Sequence, residues 1–116
     1  MKEVNGLREN IASDLLRGHT DTVVLSILAE GDSYGYEIRK MIISRAGGSF
    51  ELKEATLYSS YKRLENGGYI TSYWGDETQG GRRRYYRITG AGLELYRQSK
   101  SDWHKTQELL SKFLEG

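Results

Sequence analysis

Apolar residues recur at helical spacing through the first half of the chain. Leu7, Ile11 and Leu15 stand four positions apart, which predicts one apolar stripe on a short helix over residues 5–17. The same spacing continues in three further segments, and each of them stops at glycine. These segments predict helices that end before Gly31, Gly47 and Gly67, the last of them over residues 53–66. The chain therefore begins as four consecutive helices.

The hydrophobic period changes from helical to alternating in the second half. Residues 69–74 and 84–89 are rich in β-branched and aromatic side chains, as strands are. The segment 75–81 between them is polar and rich in glycine, so the pattern predicts a β-hairpin with a long tip. Thr89 is then placed to cap a last helix over residues 90–114.

This order of elements predicts an α+β fold, mainly helical, of the winged helix-turn-helix class. In that class the second helix of a helix pair enters the major groove of DNA, and the hairpin tip is the wing. We expect Thr20 or Asp21 to cap the second helix and Ser33 to cap the third. The expected divisions are an N-terminal helix for dimer contact, the winged helix-turn-helix domain and a long C-terminal dimerisation helix, over residues 1–18, 19–89 and 90–116.

Composition changes the picture mainly by exclusion. The 116-residue chain has no Cys, no apolar run near the roughly 20 residues that span a membrane, and no signal-peptide core. Nine Tyr and two Trp supply large apolar surface for a small core. These observations disfavour a secreted protein, a membrane-spanning protein and a cysteine-ligated zinc protein. We expect a soluble cytoplasmic domain.

The formal net charge of +1 hides an uneven distribution. Residues 1–32 carry a net charge of −3, residues 33–89 carry +4, and residues 90–116 are neutral. The positive charge is densest at four arginines near the predicted wing: Arg82, Arg83, Arg84 and Arg87. Because phosphate contact depends on local charge, this segment is a candidate nucleic-acid surface. A solvated strand face is the alternative interpretation.

The predicted helix over residues 53–66 has two different faces. Leu57, Tyr61 and Leu64 lie within about 60° of one another on a helical wheel and predict its buried stripe. The opposite face is small and hydroxylated near its start and basic farther along: Ala55, Thr56, Ser59, Lys62, Arg63 and Asn66. Short side chains allow close approach to DNA, donors reach base edges, and cations contact phosphates. An ordinary exposed helix face would be richer in Glu and Lys.

Several segments together resemble the PadR-type transcriptional regulators. The matching segments are residues 25–28, 34–38, 54–58, 62–65, 68–70 and 80–89, followed by Gly92. They cover about residues 18–92 in the family's order and spacing. Ser59 and Arg82 stand near places where the family often has Pro. Ser is acceptable in a helix interior, and Arg adds positive charge to the wing, so the fold is unaffected. The single helix after the wing resembles a short-tailed subfamily that includes multidrug-responsive repressors.

The resemblance and the residue chemistry together predict a DNA-binding surface on double-stranded operator DNA. Its expected members are Lys53, Thr56, Tyr58, Ser59, Lys62, Arg63, Arg82, Arg83 and Arg84. Tyr58 lies at the edge of the buried stripe, where its phenol either contacts a phosphate or only packs. We expect a repressor.

The last helix carries an apolar seam of the coiled-coil type. Tyr96, Trp103 and Leu110 are seven positions apart, and Phe113 occupies a d position of the same heptads. A helix that follows the wing has no further domain to pack on, so we expect it to meet a second copy. The expected homodimer interface also includes the N-terminal stripe: Leu7, Ile11 and Leu15.

Ser99 and Thr106 occupy the other d positions, so the seam is expected to leave a cavity beside Trp103. In short-tailed regulators that this chain resembles, a Trp on this helix stacks on planar, often cationic, compounds. A small planar aromatic effector is therefore expected at Trp103, Ser99 and Thr106. Trp103 as a simple dimer-packing residue is the alternative.

Catalytic chemistry has no support in the sequence. His19 and His104 lie in different predicted elements, without partners at a spacing typical of a triad or a metal site. We expect no catalytic residue, no metal and no cofactor. Two alternatives to the regulator remain open: a winged-helix protein–protein adaptor, and a ligand-sequestering protein without DNA activity.

Overall fold

The computed structural model describes residues 18–75 and 82–115, and it has seven elements in that part of the chain. In chain order they are α1 (Thr20–Leu28), β1 (Ser33–Tyr34), α2 (Gly35–Arg45), α3 (Glu54–Asn66), β2 (Ile70–Trp74), β3 (Arg84–Ile88) and α4 (Gly90–Leu114). The mainly helical α+β fold, the hairpin and the long last helix are confirmed. The helix predicted over residues 5–17 and most of the hairpin tip lie outside the described residues.

Two of the predicted helix caps are wrong. His19 holds the N-cap position of α1, so neither Thr20 nor Asp21 caps that helix. Ser33 does not cap α2, because its backbone belongs to β1, and Tyr34 holds the N-cap position instead. The Ser33 hydroxyl donates a hydrogen bond of 2.6 Å to the Glu37 carboxylate in the first turn of α2. The side chain thus stabilises the helix start from one residue farther away.

A three-stranded antiparallel sheet has β3 at its centre, in the order β1-β3-β2. Tyr86 of β3 pairs with Ser72 of β2 on one side and with Ser33 of β1 on the other. The hairpin of β2 and β3 is therefore tied to the start of α2 through two residues of β1. This short strand has no alternation of its own, so the sequence pattern does not reveal it.

The hydrophobic core lies where α1, α2 and α3 meet one face of the sheet. Its fully buried side chains include Val24, Leu25, Leu28, Ile38, Leu64 and Ile70. Tyr61 of α3 stacks on Tyr86 of β3 with ring centroids 4.5 Å apart. This contact fixes α3 against the central strand, and burial of such aromatic rings dominates the energetics of a small core.

The end of α3 is set by Gly68, whose φ is +78°. The Tyr69 amide donates to the Leu64 carbonyl at 2.9 Å and the Gly68 amide donates to the Glu65 carbonyl at 3.1 Å. These two bonds form a Schellman motif, and its left-handed residue favours glycine. The chain therefore leaves α3 directly into β2.

The junction between the sheet and α4 is tightly packed. Thr89 caps α4 as predicted, since its hydroxyl oxygen accepts a 3.0 Å hydrogen bond from the Gly92 amide. The same hydroxyl donates to the Gly68 carbonyl at 2.7 Å. A Cβ at Gly92 would collide with the Tyr69 carbonyl oxygen and the Ile88 side chain. Only glycine allows the first turn of α4 to approach the sheet this closely.

α4 packs on α1 and β3. Leu95 and Tyr96 contact the core, whereas Leu110, Phe113 and Leu114 are 50%, 76% and 78% exposed. None of the helices in the described ranges is long and apolar enough to cross a membrane.

Candidate nucleic-acid interface

The two faces predicted for α3 are present in the structure. Leu57, Tyr61 and Leu64 are 2%, 6% and 2% exposed, so the predicted stripe is buried. The opposite face lies at the surface, with Thr56 half-buried and the rest exposed: Ala55, Ser59, Lys62, Arg63 and Asn66. Its small residues stand in the first half of the helix. The polypeptide backbone of α3 can therefore come closest to a DNA groove in that half of the helix.

Tyr58 and Lys62 form a pair on the exposed side of α3. Tyr58 is 55% exposed, and the Lys62 ammonium lies 5.4 Å from the centroid of its ring. Ser59 uses its hydroxyl proton internally, in a 3.0 Å hydrogen bond to the Ala55 carbonyl. Its oxygen lone pairs remain as acceptors, which suits an amino group on a base edge.

Arg63 is held by α1. Its Nη2 donates to Asp21 Oδ1 at 2.8 Å and its Nε donates to Oδ2 at 3.2 Å. The buried Ser60 hydroxyl donates to Oδ1 at 2.6 Å. Burial by itself would raise the pKa of Asp21, but the hydrogen bonds from Arg63 and Ser60 and the nearby positive charge lower it overall. A guanidinium has five N–H donors, so Arg63 retains donors for another partner.

The arginines of the hairpin differ in how they are held. The Arg82 guanidinium lies 5.6 Å from the Trp74 ring centroid, and the Arg83 guanidinium lies 4.7 Å from that of Tyr34. Arg84 Nη2 donates to Glu65 of α3 at 3.1 Å and to the Ser72 hydroxyl at 2.9 Å. Arg84 therefore connects α3, the helix predicted to read the DNA bases and called the reading helix below, to both strands of the hairpin.

Arg87, the fourth arginine of the basic segment, belongs to a different cluster. Its Nε donates to Asp32 at 2.9 Å, and the Tyr73 hydroxyl donates to the same carboxylate at 2.5 Å. The Arg87 guanidinium also lies 5.0 Å from the Tyr73 ring centroid. These contacts anchor the loop before β1 to the outer face of the sheet.

A concavity of about 550 Å³ separates α3 from the hairpin and the start of α2. Its lining includes five tyrosines, three arginines and one carboxylate: Tyr34, Tyr36, Tyr58, Tyr61, Tyr86, Arg39, Arg83, Arg84 and Glu54. Tyr36 is 67% exposed, with the Lys40 ammonium 5.4 Å from its ring centroid. Tyr36 is not among the residues that the sequence predicts to contact DNA, although its place beside the predicted reading helix was the available signal. A Cβ at Gly35 would lie 4.0 Å from the Tyr61 ring, at ordinary van der Waals distance.

Trp103 borders a second, separate groove of about 330 Å³ between α1 and α4. Its lining is His19, Thr22, Val23, Ser26, Tyr96, Lys100, Trp103 and His104. Ser99 and Thr106 do not line it. On a helical wheel at 100° per residue, Ser99 and Thr106 lie about 40° and 60° from Trp103, on the side that faces away from the groove. Leu110 and Phe113 lie on that same side. Trp103 therefore stands between the groove and the exposed apolar face of α4.

The lining of this groove is apolar and basic. It includes one Lys and two His but no Asp or Glu within the described part of the chain. An indole 48% exposed at such a place can stack on a planar ring. Across residues 18–75 and 82–115, no cluster of three His, Asp or Glu side chains is arranged to hold a metal ion.

A helix pair followed by a hairpin, with an exposed polar helix face beside a basic strand end, defines a winged helix-turn-helix protein. A model of the PadR-like family of transcriptional regulators matches residues 24–98. A protein from Lysinibacillus sphaericus is 42% identical over 106 residues, which cover 91% of this chain and 97% of the relative. The chain belongs to the PadR-like family, whose members are transcriptional regulators and not enzymes.

Solved structures agree with this assignment. A transcriptional regulator from Clostridium thermocellum is 50% identical and superimposes with a TM-score of 0.81 over 88% of this chain and 96% of that chain. A PadR family transcriptional regulator from Eggerthella lenta is 32% identical, with a TM-score of 0.82 over 99% of this chain and 98% of that chain.

Proposed function

We propose that this transcriptional regulator binds operator DNA as a homodimer and represses transcription. α3 enters the major groove, and the hairpin contacts the neighbouring sugar–phosphate backbone. The observation that carries this proposal is the surface of α3 opposite its buried stripe, which is small and hydroxylated near its start and basic farther along, beside the arginine-rich start of β3. Close approach, base-edge donors and phosphate contacts require these three properties together.

The charged residues divide into two groups by their partners. Lys53, Lys62 and Arg82 have no ion pair with a carboxylate among the described residues, so their charge is available to phosphates. Arg63 and Arg84 have carboxylate partners within the domain. We assign base reading to the hydroxyls of the half-buried Thr56 and the exposed Ser59. We assign contacts with the DNA phosphates to Lys53, Lys62 and Arg82.

The homodimer follows from the second half of α4. Leu109, Leu110, Phe113 and Leu114 are at least half exposed, on a helix that has left the body of the domain. A second copy is the occupant that fits, because a two-fold dimer covers this face with itself and presents two reading helices to two half-sites. We also assign the N-terminal stripe of Leu7, Ile11 and Leu15 to this interface.

An effector at Trp103 supplies the regulation. The groove favours a planar aromatic compound that is neutral or negatively charged, because Lys100 is the one formally charged residue in its described lining and would repel a cation. In the dimer, Ser99 and Thr106 extend the site on the other side of the indole. A ligand that binds better to the DNA-free arrangement of the two heads shifts the population away from DNA.

A gel shift against the DNA upstream of the protein's own gene, at two salt concentrations, tests the proposal. We expect a discrete complex that weakens as salt rises and that resists excess unrelated duplex. An adaptor gives no complex, and a ligand-sequestering protein gives no complex but binds aromatic compounds. Either result would remove DNA binding from the account.

The reading assignment has its own test. Thr56→Val and Ser59→Ala are expected to lose about 1–3 kcal/mol at particular base pairs while general DNA affinity is retained. Lys105→Ala on α4 is the matched surface control, since Lys105 is exposed and remote from α3. If the two substitutions weaken binding to operator and to random duplex equally, Thr56 and Ser59 contact only the sugar–phosphate backbone of the DNA.

A further inference from the structure

α1 lies between the reading helix and the Trp103 groove. Its groove-lining residues Thr22, Val23 and Ser26 fall within an arc of about 100° on a helical wheel. The centre of that arc is about 150° from Asp21, whose carboxylate is bound to α3. One nine-residue helix therefore contacts the groove with one face and the reading helix with the opposite face.

The contact between Asp21 and α3 is directional. Two α3 side chains, Ser60 and Arg63, are three residues apart and donate to the same carboxylate. Ser60 is fully buried, so this part of the cluster has no freedom to rotate into solvent. Charge-assisted hydrogen bonds with defined geometry add directional specificity to the apolar packing between the two helices.

The core side of α1 is stiff, whereas its groove side is open. Val24, Leu25 and Leu28 are at most 1% exposed in the core shared with α3. Tightly packed interiors pass displacement on instead of absorbing it. On the groove side Trp103 is half exposed, and a ligand can enter between α1 and α4. A displacement of α1 by such a ligand therefore reaches α3.

We propose that Asp21 is a positioning residue that fixes the reading helix to α1 and thereby couples occupancy of the Trp103 groove to DNA binding. This inference rests on the proposed function, both for DNA binding and for the ligand site. It gives Arg63 a positioning role through Asp21 in addition to any DNA contact.

The coupling factor is the quantity that tests this proposal. It is the ratio of the DNA dissociation constants with and without saturating 1-anilinonaphthalene-8-sulfonate, an aromatic anion whose naphthalene ring can stack on an indole. The DNA is a duplex that the wild-type protein has selected from a random pool. The variants are Asp21→Asn, Asp21→Glu and Arg63→Lys. The control is Glu30→Gln, which makes the same charge change at an exposed carboxylate that pairs with Arg45 of α2.

We expect the wild type and Glu30→Gln to share one coupling factor of fivefold or more. In Asp21→Asn and Arg63→Lys the factor falls to within about twofold of unity, and Asp21→Glu restores part of it. Affinity of the DNA-free protein for the dye changes less than about twofold, because the groove lies on the opposite face of α1. Thermal melting shows that each variant is folded at the assay temperature.

An unchanged coupling factor in both Asp21→Asn and Arg63→Lys would overturn the proposal, as would an equal loss in Glu30→Gln. A lower dye affinity that accounts for the whole effect would assign Asp21 to the groove and would also overturn it. Failure of the wild type to select any duplex would contradict the proposed function itself. A wild type that selects DNA but shows no dye effect would contradict the coupling and leave DNA binding intact.

Discussion

Replacement of Arg82 by Ala gives the most quantitative test of the hairpin as a DNA contact. Arg82 is exposed, stacks over Trp74 at 5.6 Å and has no carboxylate partner among the described residues, so its removal deletes charge without breaking an ion pair. Each lost phosphate contact lowers the slope of log affinity against log salt by about 0.9. A dimer loses two such contacts, which flattens the slope by about 1.8.

This change in slope has a large effect on affinity. Between 50 and 200 mM salt the loss caused by Arg82→Ala shrinks by about twelvefold, since the salt concentration changes fourfold and the slope by about 1.8. Fluorescence anisotropy of a labelled operator duplex over that range measures it. Arg97→Ala is the control, because Arg97 is an exposed arginine on α4 whose pair with Glu94 is 3.6 Å long. Parallel salt slopes for wild type and Arg82→Ala would refute the wing assignment.

Three further outcomes follow from the same geometry. The double variant Leu110→Glu with Phe113→Glu is expected to be a monomer in sedimentation velocity and to lose operator binding; a dimer that persists would move the interface elsewhere. Trp103→Ala is expected to abolish the quenching of indole emission by planar anionic dyes, because Trp74 at the hairpin is remote from the groove, and unchanged quenching would relocate the site. Asp21 has a folded-state pKa below its ordinary value of 3.8, so its stabilisation is complete above that pH and is lost as the pH falls through the lowered value. Acid unfolding should therefore be less steep in Asp21→Asn, and identical acid profiles would contradict the Asp21 cluster.

The elements that the sequence predicts correctly are those with local causes. The buried stripe of α3, the glycine stop at Gly68 and the cap at Thr89 each depend on residues within about one helical turn. β1 was missed because its two residues pair with β3 more than 50 positions away and show no periodicity. A strand of that kind exists only through its partner.

In the candidate site, too, features with local causes could be predicted and contacts between distant residues could not. The exposed face of α3 could be predicted from a helical wheel, and the exposure of Arg82 from the glycine-rich segment that precedes it. The engagement of Arg63 with Asp21 could not, because the two residues are 42 positions apart and either one alone is an ordinary surface charge. The pairing of Arg84 with Glu65 was missed for the same reason. The groove beside Trp103 also depends on α1, and the heptad pattern of the last helix carries no information about that contact.

Selection of DNA from a random duplex pool tests the central claim most directly. The purified full chain is incubated with the pool, bound duplexes are recovered over several rounds, and the enriched sequences are aligned. A homodimer that reads the major groove with α3 enriches an inverted repeat whose half-site centres are one helical turn, or a whole number of turns, apart. No enrichment, or a single site without a symmetric partner, would contradict the dimeric DNA-binding regulator.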